Sequence, residues 1–399
     1  MSKLDRIVKK NLCLGCGLCE SLGKEHGCKM QLSRAGFYIP VLENPFSKIL
    51  EKQILSICPA INLVDCGSRQ VWGVIDTILQ TWATDDEVRY KGSSGGSISA
   101  LCIYMLEHKI VDAVLQIGPR KDHVLYNQLH ISRTREDILA NASSRYAPAP
   151  TLVDFLEIMN SSRDTFCFVG KPCDVSAVKN LLGTRSEYQD RIKLFLAIIC
   201  AGMPSYNASR KLLDQYRPGE LPVSLRYRGD GWPGNFKATY TDHSEYKVSY
   251  NESWGRILGR QILFRCKICP DGIGLRADLV AGDAWETSNG YPDFTERPGK
   301  SFVLVRTPAG ADLFRRAQED GAIQSEKLDI GRLSEMQPFQ YQRRVTAGFR
   351  VFTVQLLSGF LLNLKRMHLL FLMRHTSWYR GMRNVAGIFI RYWRLKDLE

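Results

Sequence analysis

"TFCFVGKPCDVSAVKNLLG" occupies positions 165–183. It reads as a strand, Phe166–Val169, a short loop, Gly170–Cys173, and a helix ending near Gly183. A brief apolar run, a glycine turn and then a helical pattern make the strand–loop–helix step of an α/β fold. The next segment, "IKLFLAIICAGMPS" (192–205), is a longer apolar strand running into Cys200-Ala201-Gly202. Upstream, "EVRYKGSSGGSISALCIYMLEHKIVDAVLQIG" (87–118) gives a glycine-containing loop, a helix from about Gly96 to Glu107 and a strand at Ala113–Ile117. The helix follows from Ile98, Leu101, Cys102, Met105 and Leu106, which fall at helical spacing. Strands alternating with helices predict an α/β arrangement with at least part of its sheet parallel.

Residues 1–70 are short segments rich in Cys, Gly and Pro, and predict little regular structure. Residues 221–310 predict antiparallel strands and loops, with turn signals at Arg228-Gly229-Asp230-Gly231, Trp232-Pro233-Gly234 and Pro270-Asp271-Gly272. The chain has 399 residues, 44% hydrophobic and 24% charged, which is a globular composition with room for two or three domains. Internal repeats and low-complexity stretches are absent.

Net charge is +13, and the excess is concentrated: Tyr341 to Glu399 holds eleven Lys/Arg and two Asp/Glu. The excess surrounds no recognisable nucleic-acid module, so nucleic acid is not an expected partner. "FRVFTVQLLSGFLLNLKRMHLLFLMRH" (349–375) is apolar but interrupted by Lys365, Arg366 and His368. It lacks the ~20 consecutive apolar residues of a membrane span. The expectation is a terminal helical pair docked on the body. The competing expectation is a basic amphipathic surface for peripheral contact with a membrane or a partner.

Twelve cysteines require an explanation. Met1–Lys10 has no apolar core of a secretory signal, so a cytoplasmic protein with metal-bound thiols is expected rather than a disulfide framework. Cys13, Cys16 and Cys19 stand at C-x2-C-x2-C spacing, the opening of a ferredoxin-type cluster motif, and Cys58-Pro59 supplies its usual close. One [4Fe-4S] cluster is therefore assigned to Cys13, Cys16, Cys19 and Cys58. Cys28 is the competing fourth ligand, nearer but without the proline. Gly15 and Gly17 allow close backbone approach.

A second set combines the C-x2-C of Cys266 and Cys269 in "FRCKICPDG" (264–272) with Cys173 and Cys200. The latter two follow predicted strands, and functional crevices open at the carboxyl ends of such strands. A second [4Fe-4S] cluster is expected there, with zinc as the alternative. Cys102 and Cys167 lie within a predicted helix and strand and are expected to be buried; Cys28 and Cys66 are left without a role.

Clusters carry single electrons, so a two-electron cofactor is expected beside them. "KGSSGGSISAL" (91–101) places Ser93, Ser94, Gly95 and Gly96 at a helix start, where amides and dipole favour phosphate. An ordinary capped helix is the plainer explanation. "NASSRYAPAPT" (141–151) adds Ser143, Ser144 and Arg145 for a pyrophosphate and Tyr146 for stacking. Gly170 and Lys171 stand beside Cys173, and the lysine suits negative charge on a reduced flavin, although a solvated lysine would look the same.

These segments, with "VGKPCDVSAVKNLL", "CAGMPS", "LRYRGDGWPG" and "DLVAGDAW", resemble the coenzyme F420 hydrogenase/dehydrogenase beta-subunit family from about residue 10 to 300. The resemblance implies an iron–sulfur flavoprotein that binds FAD, and it strengthens the second cluster. Having both cysteine sets leans toward a branch similar to 7-hydroxymethyl chlorophyll a reductase and divinyl chlorophyllide reductase, fed by reduced ferredoxin. Related bacterial chains look like accessory reductases in polysaccharide gene clusters. The expected architecture is then a small iron–sulfur domain (1–70), a mixed-sheet flavin-binding body in two parts (71–160 and 161–335) and a helical tail (336–399).

The expected activity is ferredoxin-dependent reduction of a small molecule or glycan precursor through FAD, with Lys171 the weak catalytic candidate. A cytoplasmic place is expected, with the inner membrane face open to the tail, and a homo-oligomer is compatible with the sequence. Asp230, Asp271 and Asp283 are proton-donor candidates, or simple turn residues. One alternative is an F420-linked electron-transfer subunit of a larger complex. The other is a zinc-stabilised binding protein.

Overall fold

The computed structural model describes residues 2–64, 67–364 and 366–396; Cys66 lies outside them. The strands in chain order are β1 (Cys28–Leu32), β2 (Tyr38–Leu42), β3 (Thr77–Ala83), β4 (Ala113–Pro119), β5 (Asn127–Ser132), β6 (Phe166–Gly170), β7 (Ile192–Ile198), β8 (Ser224–Arg226), β9 (Phe236–Thr239), β10 (Glu245–Val248), β11 (Leu279–Asp283), β12 (Thr287–Ser288), β13 (Tyr291–Pro292), β14 (Ser301–Val305) and β15 (Ile323–Lys327). Eight of them form one mixed sheet in the order β15-β3-β14-β11-β7-β6-β4-β5. The central strands β11, β7, β6 and β4 are parallel, and antiparallel strands close both sides. This is the α/β class read from the strand–loop–helix step.

Both faces of the sheet are covered, which is why its central strands are nearly all apolar. Alternation divides the side chains: Phe166 and Phe168 enter one core, and Cys167 enters the other. The helix Ser97–Glu107 covers the second face with Cys102 and Met105 fully buried. Cys167 is buried as well, as expected.

Three regions depart from expectation. Residues 2–64 are more regular than their Cys/Gly/Pro content predicts, with helices Lys3–Lys9, Leu18–Gly23 and Lys48–Ile57 and the hairpin β1–β2. Ser2 and Ser47 cap two of these helices, and Leu4, Ile7, Ile54 and Ile57 are buried. The antiparallel trio β8–β9–β10 and the antiparallel β11–β14 pair are as expected, but the other edge of β11 pairs in parallel with β7, which makes it a central strand with Leu279 and Val280 buried on opposite faces. The tail is more than a helical pair: it has helices Pro338–Val345, Ala347–Ser358, Leu369–Leu372 and Trp378–Lys396. Val351 and Val354 dock it to the main core.

At the carboxyl edge of the parallel strands, β6 delivers Gly170-Lys171, β7 delivers Ile199-Cys200 and β11 delivers Asp283-Ala284. The N-terminal unit lies against the helix Pro172–Leu182, where Asn180 donates to the carbonyls of Ile57 and Asn62 at 3.2 and 3.3 Å.

Candidate functional site

Cys13, Cys16, Cys19 and Cys58 line one small cavity, walled by Leu4, Ile7, Leu14, Leu18, Met30, Ile54 and Ile57. Two features of the loop create it. Gly15 and Gly17 hold positive φ (65° and 88°), and a Cβ on Gly17 would lie 2.6 Å from the Val153 side chain. The Gly15 amide donates to the Cys13 sulfur at 3.3 Å. Cys58 enters as the residue that ends the helix Lys48–Ile57. Cys28 is buried in β1 beside Cys19, whose sulfur instead faces Met30 Sδ at 3.9 Å, and it does not line the cavity. Burial pushes the Cys13 thiol up to about 12. Metal binding there would have to displace the thiol protons.

Cys173, Cys200, Cys266 and Cys269 come together from three elements. Cys173 lies in the first turn of the helix Pro172–Leu182, Cys200 follows β7, and Cys266 sits in the short helix Phe264–Lys267. The Cys200 amide donates to the Gly272 carbonyl at 2.8 Å, joining the strand end to the cysteine loop. Burial raises all four thiols, Cys266 to about 12, and they raise one another as neighbours. Lys171 and Arg343 pull Cys200 back down. The tail closes this set: Arg343 donates to the Ala201 carbonyl at 2.7 Å, Arg344 to Pro270 at 2.8 Å and Arg350 to Lys267 at 3.0 Å.

Two buried charges stand between the sets. Arg265 has no solvent exposure, and its Nε donates to the Ala60 carbonyl at 2.9 Å. Its Nη1 and Nη2 have no partner among the described residues. Burial raises Cys58 and Cys269, one from each set, and Arg265 draws both back. Asp174 is also fully buried; its Oδ2 accepts from Lys171 at 2.5 Å and Thr151 at 3.1 Å, while Oδ1 lacks a partner. Its charge reaches Cys16 in one set and Cys173 in the other. Burial works against the Lys171 ammonium, but Asp174 and Cys173 hold its pKa above the ordinary value.

Among the described residues no group of three or more His, Cys, Asp or Glu side chains is drawn together to hold a metal ion. The Cys13 set surrounds a shared cavity instead, and the Cys173 set is gathered closely enough for its members to act on one another electrostatically. A four-iron cubane spreads its thiolates wider than one tetrahedral ion and carries net negative charge. Four thiols with Lys171, Arg265 and Arg343 about them fit that donor chemistry.

The serine loops meet at the same sheet edge. The Ser94 hydroxyl donates to the Lys300 carbonyl at 2.9 Å, and the Gly95 amide to the Ser301 hydroxyl at 2.9 Å. The Ser144 amide donates to the Ser93 hydroxyl at 2.5 Å, and Ser143 bonds the Arg228 carbonyl. These donors are thus spent on protein acceptors. Gly96 begins the helix with φ +73°, and its side-chain position is filled by the Val88 carbonyl. Arg145 points inward, its three nitrogens donating to Asn127, Leu225 and Val124.

Beside them lies a packed cluster that the sequence reading missed. Arg228 makes a two-pronged ion pair with Asp283 at 3.0 and 2.8 Å, and the Trp232 indole donates to the same carboxylate at 2.9 Å. Trp232 and Trp285 stack with centroids 4.6 Å apart, and the Arg228 guanidinium lies 4.7 Å from the Tyr250 ring centroid. Tyr146 bonds Arg228 at 3.3 Å. The available signal was Asp283 within "GDAW" and Arg228 within "YRGDGW"; Asp283 is a charge partner rather than a turn residue. Asp271 accepts from the Leu275 amide, and Asp230 pairs with Arg226 at 3.4 Å. A flavin phosphate would have to take over bonds the serine loops make to protein, so the fit to FAD rests on the aromatic surroundings alone.

A mixed sheet with covered faces and cysteine loops at its carboxyl edge defines an α/β redox-type scaffold. The profiles for the N-terminal and C-terminal parts of coenzyme F420 hydrogenase/dehydrogenase beta subunits match residues 78–154 and 163–330. The chain belongs to that family. It is 24% identical to the coenzyme F420 hydrogenase subunit beta of Methanococcus voltae, over 65% of this chain and 86% of the relative. It is 26% identical to the F420-dependent formate dehydrogenase 1 subunit beta of Methanococcus maripaludis, over 61% of this chain and 60% of the relative. An uncharacterised protein of Methanocaldococcus jannaschii is 23% identical, over 85% of this chain and 96% of its own length. A chain of the F420-reducing [NiFe] hydrogenase complex from Methanosarcina barkeri shares the fold, with TM-score 0.56 and 20% identity, over 71% of this chain and 93% of that one. The matched profiles include the Cys173 set and leave the Cys13 set outside.

Proposed function

We propose that this chain is an electron-transfer subunit of a larger redox complex. It holds one [4Fe-4S] cluster on Cys13, Cys16, Cys19 and Cys58, a second on Cys173, Cys200, Cys266 and Cys269, and FAD against the aromatic cluster of Tyr146, Trp232, Tyr250 and Trp285. The observation that carries this is the adjacency of two cysteine sets across Arg265 and Asp174. When bound, the clusters supply single-electron steps and the flavin links them to two-electron chemistry. The chain's own residues position these groups, exclude water with the apolar walls around Cys13 and offset negative charge with Lys171, Arg265 and Arg343. The names of the relatives support a deazaflavin of the F420 type as the two-electron partner.

A second reading is a ferredoxin-fed FAD reductase acting on an organic substrate such as a glycan precursor, in the cytoplasm and as a homo-oligomer. It is favoured by the Cys13 set, which lies outside the matched profiles and gives the chain its own point of access for electrons.

Anaerobic purification with iron, sulfide, zinc and flavin quantitation tests both. About eight irons and one flavin per chain are expected. Stoichiometric zinc without iron overturns the proposal. Rapid reduction of F420 only in the presence of partner subunits favours the first reading; turnover by the isolated chain with reduced ferredoxin favours the second.

A further inference from the structure

From Met336 to Lys396 the sequence contains eleven Lys and Arg and no Asp or Glu. The same segment exposes large apolar side chains, with Leu356 85%, Leu361 82% and Leu370 70% accessible. The helix Trp378–Lys396 orders these two properties. At about 100° per residue, its circumference divides into three sectors. Gly381, Ile388 and Tyr392 form the buried one, with Gly381 against Phe349 and Tyr392 against Phe264. Trp378, Tyr379, Met382, Phe389, Ile390 and Trp393 form the next, each between 44% and 73% exposed. Arg380, Arg383, Arg391 and Arg394 form the third, all exposed.

Among the described residues no helix is long and apolar enough to cross a membrane. An apolar arc bordered by arginines instead suits a helix lying in the headgroup plane. Tryptophan and tyrosine prefer that boundary, and arginine reaches from it to phosphate. A segment without a single carboxylate is complementary to an anionic surface. We propose that this face docks on anionic phospholipid, with the aromatic arc in the acyl–headgroup boundary and the arginines on the phosphates. The proposal stands independently of the redox reading.

The test is co-sedimentation of the full chain with phosphatidylcholine vesicles, with and without phosphatidylglycerol. Binding is expected with phosphatidylglycerol, weakened by salt, and little with phosphatidylcholine alone. Because the arginines are exposed, the double substitution Arg383→Glu with Arg394→Glu leaves the melting temperature unchanged and weakens binding by at least about twentyfold. Phe389→Ser with Ile390→Ser weakens it by roughly tenfold with the fold intact. Equal binding to both vesicles, or variants that bind like the parent, would overturn the proposal. So would a chain that ignores both lipids and uses this helix to hold a protein subunit.

Discussion

Arg265 shows how one side chain acquires a role that its neighbours in sequence do not announce. An unpaired guanidinium in a protein interior costs several kcal/mol unless an anion meets it. The Cys58 and Cys269 thiols lie beside it, and it offsets part of the rise that burial gives them. With the proposed clusters in place, Arg265→Met should keep the iron and lower the midpoint potential of one or both clusters by about 59 mV or more, a tenfold change in the reduction equilibrium. Arg265→Lys, which keeps charge but loses the planar fork, should fall between. Potentials followed by electron paramagnetic resonance decide this, and unchanged values would reduce Arg265 to a packing role. Iron content answers a second question at this scale. Cys58→Ser should lose about half the iron, and Cys28→Ser should lose almost none. The first cysteine set was legible because three of its members lie within one loop and the fourth carries its proline. Arg265 was not, because an arginine just before C-x2-C reads as solvated until the N-terminal unit folds over it.

At the scale of elements, the serine loop and the Arg228–Asp283 pair are junctions. A Cβ on Gly95 would lie 2.5 Å from the Thr81 carbonyl and 2.7 Å from the Ser301 amide, both backbone atoms. Gly95→Ala should therefore destabilise the protein by about 1–3 kcal/mol and spread β3 from β14, as thermal unfolding would report. Removing the carboxylate from Asp283 leaves Arg228, whose side chain is 2% exposed, without its counter-charge. Asp283→Ala should cost about 3–5 kcal/mol in chemical denaturation. The step from β6 to its helix was legible because apolar run, glycine and helical pattern are local. The parallel seating of β11 was not, because it depends on β7, which lies far away in the sequence. The same holds for the packed aromatic cluster, whose members come from four separated segments.

For the whole molecule, the sheet joins distant parts of the chain. β3 finds both its neighbours, β14 and β15, more than two hundred residues later. The N-terminal unit shares the main core with the body and with the tail: Leu12, Phe168 and Val351 belong to one cluster. Composition foretold the basic, apolar tail but not its attachment, which depends on three arginines reaching backbone carbonyls of the cysteine loops.

That attachment bears on the timing of biosynthesis. A ribosome makes every cysteine ligand of the second set before it makes Arg343, Arg344 and Arg350. The emerging chain therefore presents an open nest to whatever delivers iron and sulfide, and the clasp is fastened afterwards. Delivery during translation should be fast, whereas the completed, metal-free chain should load slowly. Arg344→Ala together with Arg350→Ala should shorten that delay when cluster uptake is followed by absorbance. An equal rate in parent and variant would show that the clasp does not govern loading.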